Sequence, residues 1–226
     1  MTTSAKFLLP YLSVGQSQKE VTHNEALAMI DILLSGTVIS VVTAPPGSPA
    51  NGDTHIVASA GTSGVFVGKE NKIAYYLTSS AAWQFITPPS YLEVIATSTK
   101  IRYRWTGSAW VALNGVYTPT PTNVSNINSS TAYACVFSCV GNVCTVSGKI
   151  RYNSTSTGAA QIDLSLPIAS NFTAEEDLAG TAASEDVADG PMYIKANYTN
   201  DRASIYSTTD GTTNHDHFFT FQYVLK

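Results

Sequence analysis

The sequence predicts a mainly β chain. One N-terminal helix comes first, then short β-hairpins, then a C-terminal domain of β-sandwich or jelly-roll type. Three observations carry this. Charged residues make up 12% of the 226 residues, against roughly 25% in an ordinary globular protein, and Ser, Thr, Asn, Gly and Tyr fill the gap. Only one long stretch, Gly15–Gly36, has helical periodicity. After it, short apolar or alternating runs recur between Gly, Pro, Asn and Ser.

Composition also bounds the function. A hydrophobic content of 44% excludes a disordered chain. The net charge of −4 lacks the basic footprint of a nucleic-acid or anionic-membrane binder. No apolar run approaches the ~20 residues of a bilayer span. "FLLPYL" (Phe7–Leu12) is too short for a signal segment and is broken by Pro10, so no leader and no membrane insertion are expected. Five N-x-S/T triplets, starting at Asn123, Asn128, Asn153, Asn171 and Asn197, then read as a by-product of composition.

In the helix, Thr22 with Glu25 has the form of a capping box, Ser17 with Glu20 offers an earlier start, and Gly36 is a stop. Leu27, Ile30 and Leu34 form one stripe; Ala26, Met29 and Leu33 form the next. That apolar arc is wider than one core requires. Two readings stay open: a helix buried between a sheet and the rest of its domain, or a helix packing on copies of itself around a symmetry axis.

The chain divides by pattern into residues 1–36 (arm and anchoring or trimerisation helix), 37–113 (small β-hairpin domain), 114–122 (linker) and 123–226 (C-terminal sandwich). Within the second part, "KIAYYLTSSAAWQFI" from Lys72 resembles "KIRYRWTGSAWVAL" from Lys100, which predicts two hairpins of one kind. Trp83 and Trp110 then serve as core or cross-strand partners, with sugar stacking as the functional alternative. "NGVYTPTPTNVSN" reads as an extended linker or first edge strand. Beyond it, Tyr133, Cys135, Phe137 and Cys139 alternate onto one face, and Val136 and Val140 onto the other. "SNFTAEEDLAG" reads as a helical turn or a loop. A Gly141-Asn142 turn sets Cys139 opposite Cys144, as a disulfide or as two small buried hydrophobes.

No nucleophile elbow, phosphate loop, dinucleotide fingerprint or zincin motif is present. No catalytic residue, cofactor site or metal site is therefore assigned, and the chain is not expected to be an enzyme. Two features stand against that reading. Glu175, Glu176, Asp177, Glu185, Asp186 and Asp189 form an acidic cluster, read as a solvated loop face rather than a glycan-cleaving pair. His215 and His217 in "HDH" point the same way on a strand; three copies around a trimer axis would offer six imidazoles to a metal, and an exposed turn is the alternative. His23 and His55 have no partner in reach by sequence.

"LPYLSVGQSQKEVTHNEAL" followed by "TAPPGSPANGDTHIVA" resembles the N-terminal module of an uncharacterised family in bacteriophage tail and spike proteins and bacterial gene transfer agents, over roughly residues 8–113. "YTPTPTNVSN", "VSGK", "LPIASNF", "NDRAS" and "FTFQYVL" resemble a β-domain recurrent in phage fibre-like proteins. The cysteines and "HDH" depart from that pattern. The resemblance implies a virion protein assembled in a bacterial cytoplasm: a homotrimeric tail fibre or spike for host attachment. The alternatives are a head fibre or decoration protein, or a glycan-binding or glycan-cleaving spike. Its N-terminal region would hold other virion proteins. Its C-terminal domain would meet a host glycan or outer-membrane protein through the loops Thr173–Gly190 and Ser207–His217.

Overall fold

The computed structural model describes residues 11, 12 and 14–226. Most of "FLLPYL", including Pro10, and the start of the N-terminal arm lie outside the described residues. The chain divides into two compact units between Ala112 and Leu113. It is mainly β, as its composition predicts.

The N-terminal unit begins with α1 (Lys19–Ser35). Neither expected capping box starts it. Gln18, in the left-handed conformation (φ 53°), occupies the N-cap without a side-chain bond, and Thr22 is buried inside the helix, where its hydroxyl accepts from the Gln16 amide. The expected stop is correct: Gly36 is left-handed (φ 60°), a conformation that costs glycine nothing sterically. Ile32 packs on Ile73, Tyr75 and Ile86, flanked by Ala28, Met29 and Leu33. The stripe at Leu27 and Leu34 is not buried between layers: these residues are 50% and 79% exposed.

Eight strands follow: β1 (Thr37–Val38), β2 (Ser40–Val42), β3 (Thr54–Val57), β4 (Ile73–Leu77), β5 (Ala82–Ile86), β6 (Glu93–Ala96), β7 (Ile101–Trp105) and β8 (Trp110–Ala112). They build two four-stranded sheets of one plan. In the sheet β2-β3-β4-β5 a short parallel strand leads an antiparallel meander, and β1-β6-β7-β8 repeats this. The two similar sequences are therefore equivalent hairpins, β4–β5 and β7–β8. Their tryptophans make cross-strand pairs, Tyr76–Trp83 at 5.4 Å and Trp105–Trp110 at 5.5 Å between ring centres. Trp110 also donates its indole N–H to the Asn71 carbonyl (2.8 Å), tying one repeat to the other.

The C-terminal unit contains β9 (Asn114–Tyr117), β10 (Pro121–Ser125), β11 (Ile127–Ala132), β12 (Cys135–Val140), β13 (Val143–Ser154), β14 (Gly158–Ser165), β15 (Leu178–Ser184), β16 (Met192–Asn197), β17 (Arg202–Thr209) and β18 (His215–Val224). They form one ten-stranded antiparallel sheet, with β11 and β12 both on one edge of β13 and β18 along its other edge. β10 pairs with β14 at the far end of the order, and Asn126 (φ 52°) turns the chain from β10 into β11. The two ends of the sheet are thus linked, and the sheet curls around a core that includes Ile150, Tyr152, Leu164, Ile205 and Phe221. Glu175–Asp177 form a helical turn, one of the two readings of "SNFTAEEDLAG".

Two sequence expectations change here, and one open alternative closes. Of the two readings of residues 114–122, the linker fails and the edge strand holds: β9 pairs with β12, and Pro121 opens β10 on an outer strand, where its missing N–H is tolerated. The boundary accordingly falls at Leu113 rather than Asn123. Tyr133 leaves the Cys135–Phe137–Cys139 face: the chain steps from β11 to β12 at residues 133–134, and Lys149 Nζ sits 4.1 Å from the Tyr133 ring centre. Cys139 and Cys144 pair across the two-residue turn at Gly141 (φ 62°), with Cα atoms 4.0 Å apart, as a disulfide. Cys135 is a free buried thiol, its pKa raised by burial.

Two outcomes follow from these units. A fragment starting at Leu113 should unfold cooperatively by circular dichroism, whereas one starting at Thr118 lacks β9 and should be measurably less stable. Equal denaturation midpoints would remove β9 from the domain. In the N-terminal unit, His55 is 4% exposed and shares 3.0 Å with the Ser40 hydroxyl. Burial lowers its pKa below 6.5, against the opposing pull of Asp53 and the Ser40 bond. The unfolded chain therefore binds the proton first, so this unit should be fully stable above pH 6.5 and lose stability as pH falls below it. A His55→Gln variant should flatten that acid limb, as read from urea midpoints across the range.

Candidate functional site: a His–Asp cluster at one rim of the C-terminal sheet

β15 pairs with β18 so that Ser184 lies opposite His217. This pairing brings the end of the acidic loop against the start of the "HDH" strand. The Glu185 N–H donates to the Asp216 carbonyl, and the Asp216 N–H returns to Glu185 Oε1, both at 2.8 Å. Gly190 N–H donates to the Thr208 carbonyl (2.8 Å), joining the loop to the end of β17. The two loops named from the sequence therefore meet.

Strand alternation then sorts the three residues of the motif. Asp216 faces outward into a cationic clamp, with Lys149 Nζ on Oδ2 and Arg151 Nε on Oδ1, each at 2.6 Å. Those bonds, Arg151 first, hold its carboxyl below the usual carboxylate range. His215 and His217 face the other way, as expected. His217 is only 1% exposed, and its ring lies flat on Tyr152, 3.7 Å away. An imidazole inside its own sheet cannot reach a symmetry axis, so the six-imidazole arrangement is ruled out by burial.

Asp189 links the two histidines. Its Oδ2 stands 3.2 Å from His215 Nδ1 and 3.5 Å from His217 Nε2, and its Oδ1 accepts the Asp210 N–H at 3.2 Å. Burial opposes its ionisation, but hydrogen bonds from Ser184, His215 and the Asp210 backbone outweigh burial and keep the carboxyl below its ordinary value. On the other side of the His215 ring, Nε2 meets the Thr213 hydroxyl at 2.7 Å and Asp186 Oδ2 at 3.4 Å. Asp210 completes the group: Asp186, Asp210 and His215 offer ligand atoms that all lie within 4.8 Å of one another. Neither ring nitrogen of His217 has a hydrogen-bond partner, and burial pushes its pKa down, with Asp189 pulling the other way.

The rest of the acidic cluster lies elsewhere. Glu175 pairs with Lys195 and Asp177 with Lys226, and Lys226 holds the Asp177 carboxyl down to about 2. The seven residues of β15 hold these groups roughly 20 Å from the 185–189 loop at ~3.3 Å per residue. That is too far for the two groups to act as one glycosidase pair. A second polar surface occupies the outer face of β16, β17 and β14. Tyr193 and Tyr206 stack at 4.9 Å, and Asp163 accepts from Asn197 Nδ2 at 2.7 Å and from Gln161 Nε2 at 3.2 Å. Asp210 lies in the Ser207–His217 loop expected from the sequence, but no local pattern pairs it with Asp186 or His215, and the Tyr193–Tyr206 surface has no sequence signal of its own.

The orphaned His217 generates a contrast. His217→Phe should leave stability unchanged or raise it, because it keeps the stacking and removes a buried unsatisfied group. Asp189→Ala removes the acceptor of His215 and of Asp210 N–H and should cost about 1–3 kcal/mol. Urea unfolding of both variants distinguishes them; a His217→Phe loss as large as that of Asp189→Ala would make the imidazole a true structural partner.

Residues 23–111 match a family model described as Protein of unknown function (DUF2793). The match lies within the N-terminal unit and covers most of the helix and both repeated hairpins. A search of curated proteins gave no match.

Proposed function

We propose that the chain is a structural virion protein of a bacteriophage, a trimeric tail fibre or spike that attaches the particle to its host cell. The observation that carries this reading is the two-faced helix. One face of α1 is bound to its own unit through Ile32, Met29 and Ala28. The opposite stripe, Leu27, Ile30 and Leu34, has the i, i+3, i+7 spacing of a heptad seam. Leu34, the most exposed of the three, gains most from being covered by another helix. Copies of the chain are the natural cover, because a seam of this kind is self-complementary about an axis. The resemblance to phage tail and spike modules supports the same reading.

Attachment is assigned to the C-terminal unit. Its joined rim loops present carboxylates, hydroxyls and an imidazole. The Tyr193–Tyr206 face, with Tyr193 54% exposed, favours a glycan as the receptor, since a half-exposed aromatic beside the Lys195–Glu175 ion pair suits a sugar ring. Three weak sites on one particle gain roughly 10²–10⁴ in avidity where geometry permits.

Sedimentation equilibrium should find three 24.0 kDa chains per particle. Leu27→Asp or Ile30→Asp should return monomers, because each places three like charges in one apolar seam. A parent chain that stays monomeric at micromolar concentration contradicts the proposal. Pre-incubating host cells with the Leu113–Lys226 fragment should block adsorption of the virion, and residues 1–112 should not. If only the N-terminal fragment competes, the polarity of the fibre is reversed.

A further inference from the structure

We propose that Asp186, Asp210 and His215 Nε2 bind a first-row transition cation of the Zn2+ type, and that Asp189 is its positioning residue. The donor set is the first argument. One imidazole with two carboxylates suits Zn2+ or its neighbours better than Mg2+ or Ca2+, which take oxygen ligands. Geometry is the second. Asp186 Oδ2 and His215 Nε2 are already 3.4 Å apart, which is about the ligand–ligand spacing of a tetrahedral site with bonds near 2.1 Å. Asp210 lies within 4.8 Å of both, on an exposed turn that can close the remainder.

The state of the His215 ring is the third argument. Asp189 accepts at Nδ1, which puts the proton there and leaves the Nε2 lone pair aimed at Asp186 and Thr213. A ligating histidine held by a carboxylate on its other nitrogen is how metal sites fix tautomer and raise basicity. The Thr213 hydroxyl now fills that lone pair, and it can turn to water when a cation takes its place.

His217 supplies an independent observation. It is 1% exposed and aims Nε2 at the same Asp189 oxygen without forming a hydrogen bond. The ion-pair partners of Asp186 and Asp189 are imidazoles, whereas Lys149 and Arg151 pair with Asp216. A buried carboxylate faced by an unsatisfied imidazole, beside two further carboxylates, is a cluster short of positive charge. A divalent cation supplies it and cross-links the 185–190 loop to the 210–214 turn.

The test is calorimetric titration of the full chain, stripped with EDTA, using ZnCl2, with MgCl2 as the comparison. One Zn2+ per chain is expected, with weaker or no response to Mg2+. Asp210→Asn and His215→Gln should each weaken binding by at least about tenfold, and Asp189→Asn by about 10–100-fold. Asp210 is exposed, so its variant keeps the proposal falsifiable if His215→Gln fails to fold. His23→Gln, on the exposed helix surface, should bind as the parent does. Long-range 1H–15N NMR should find His215 protonated at Nδ1 without metal, lose that preference in Asp189→Asn, and record a Zn2+-dependent shift at Nε2. Absence of Zn2+ binding, or one-site binding unchanged in Asp210→Asn, or binding abolished by His23→Gln, would each overturn the assignment.

Discussion

A Cβ added to Gly148 would stand 2.8 Å from the Cys135 Cβ and 3.2 Å from its Cα, and would run into the Cys135 sulfur as well. That close approach lies where β13 exchanges one partner for another. Up to Ser147 it pairs with β12, and from Ile150 it pairs with β11. The chain can step out at residues 133–134 and re-enter at Cys135 only if the facing strand leaves room. Glycine leaves that room. Because β11 is thereby seated on β13 while β10, one turn upstream, is seated on β14, the sheet curls and both ends find hydrogen bonds. Buried sheet edges would otherwise leave backbone donors and acceptors unpaired.

The rim cluster depends on the same strand. β13 sets the register of β18 along its whole length, from Val143–Val224 to Tyr152–His215. That register puts His217 on Tyr152 and places Asp216 between Lys149 and Arg151. β18 in turn fixes β15, and β15 delivers Ser184, Asp186 and Asp189 to the histidines. A chemistry-bearing cluster is thus assembled from residues far apart in sequence by two consecutive strand pairings, β13–β18 and β18–β15. The N-terminal unit uses a different device. There, a duplicated meander offers one helix a surface on its first repeat, and the helix keeps an apolar stripe in reserve.

Local patterns were legible because they need only the neighbours of each residue. Alternation put Cys135, Phe137 and Cys139 inward and His215 and His217 on one side. Gly36 announced the helix stop, and the two Lys-Ile hairpins announced their kinship. What stayed hidden depended on partners. Ser184 opposite His217 is a long-range pairing with no local signature. Together with the Gly190–Thr208 bond and the Asp210 N–H on Asp189, it turns two ordinary loops into one cluster. Alternation puts Tyr133 on the wrong face because it assumes an unbroken strand, and the step from β11 to β12 breaks it. The helix start is misread from sequence because Ser17 and Thr22 have capping chemistry, whereas the left-handed Gln18 begins the helix without a side-chain cap.

The C-terminal architecture rests on β13 changing partners beside Gly148, a position with no side chain. Urea unfolding of Gly148→Ala, alone and combined with Cys135→Gly, tests it most directly. Overpacking of this kind costs about 1–3 kcal/mol. The single variant should lose about that much, and the double variant should recover part of it once the Cys135 side chain is gone. A Gly148→Ala protein within about 0.5 kcal/mol of the parent, the ordinary range for innocuous substitutions, would contradict it.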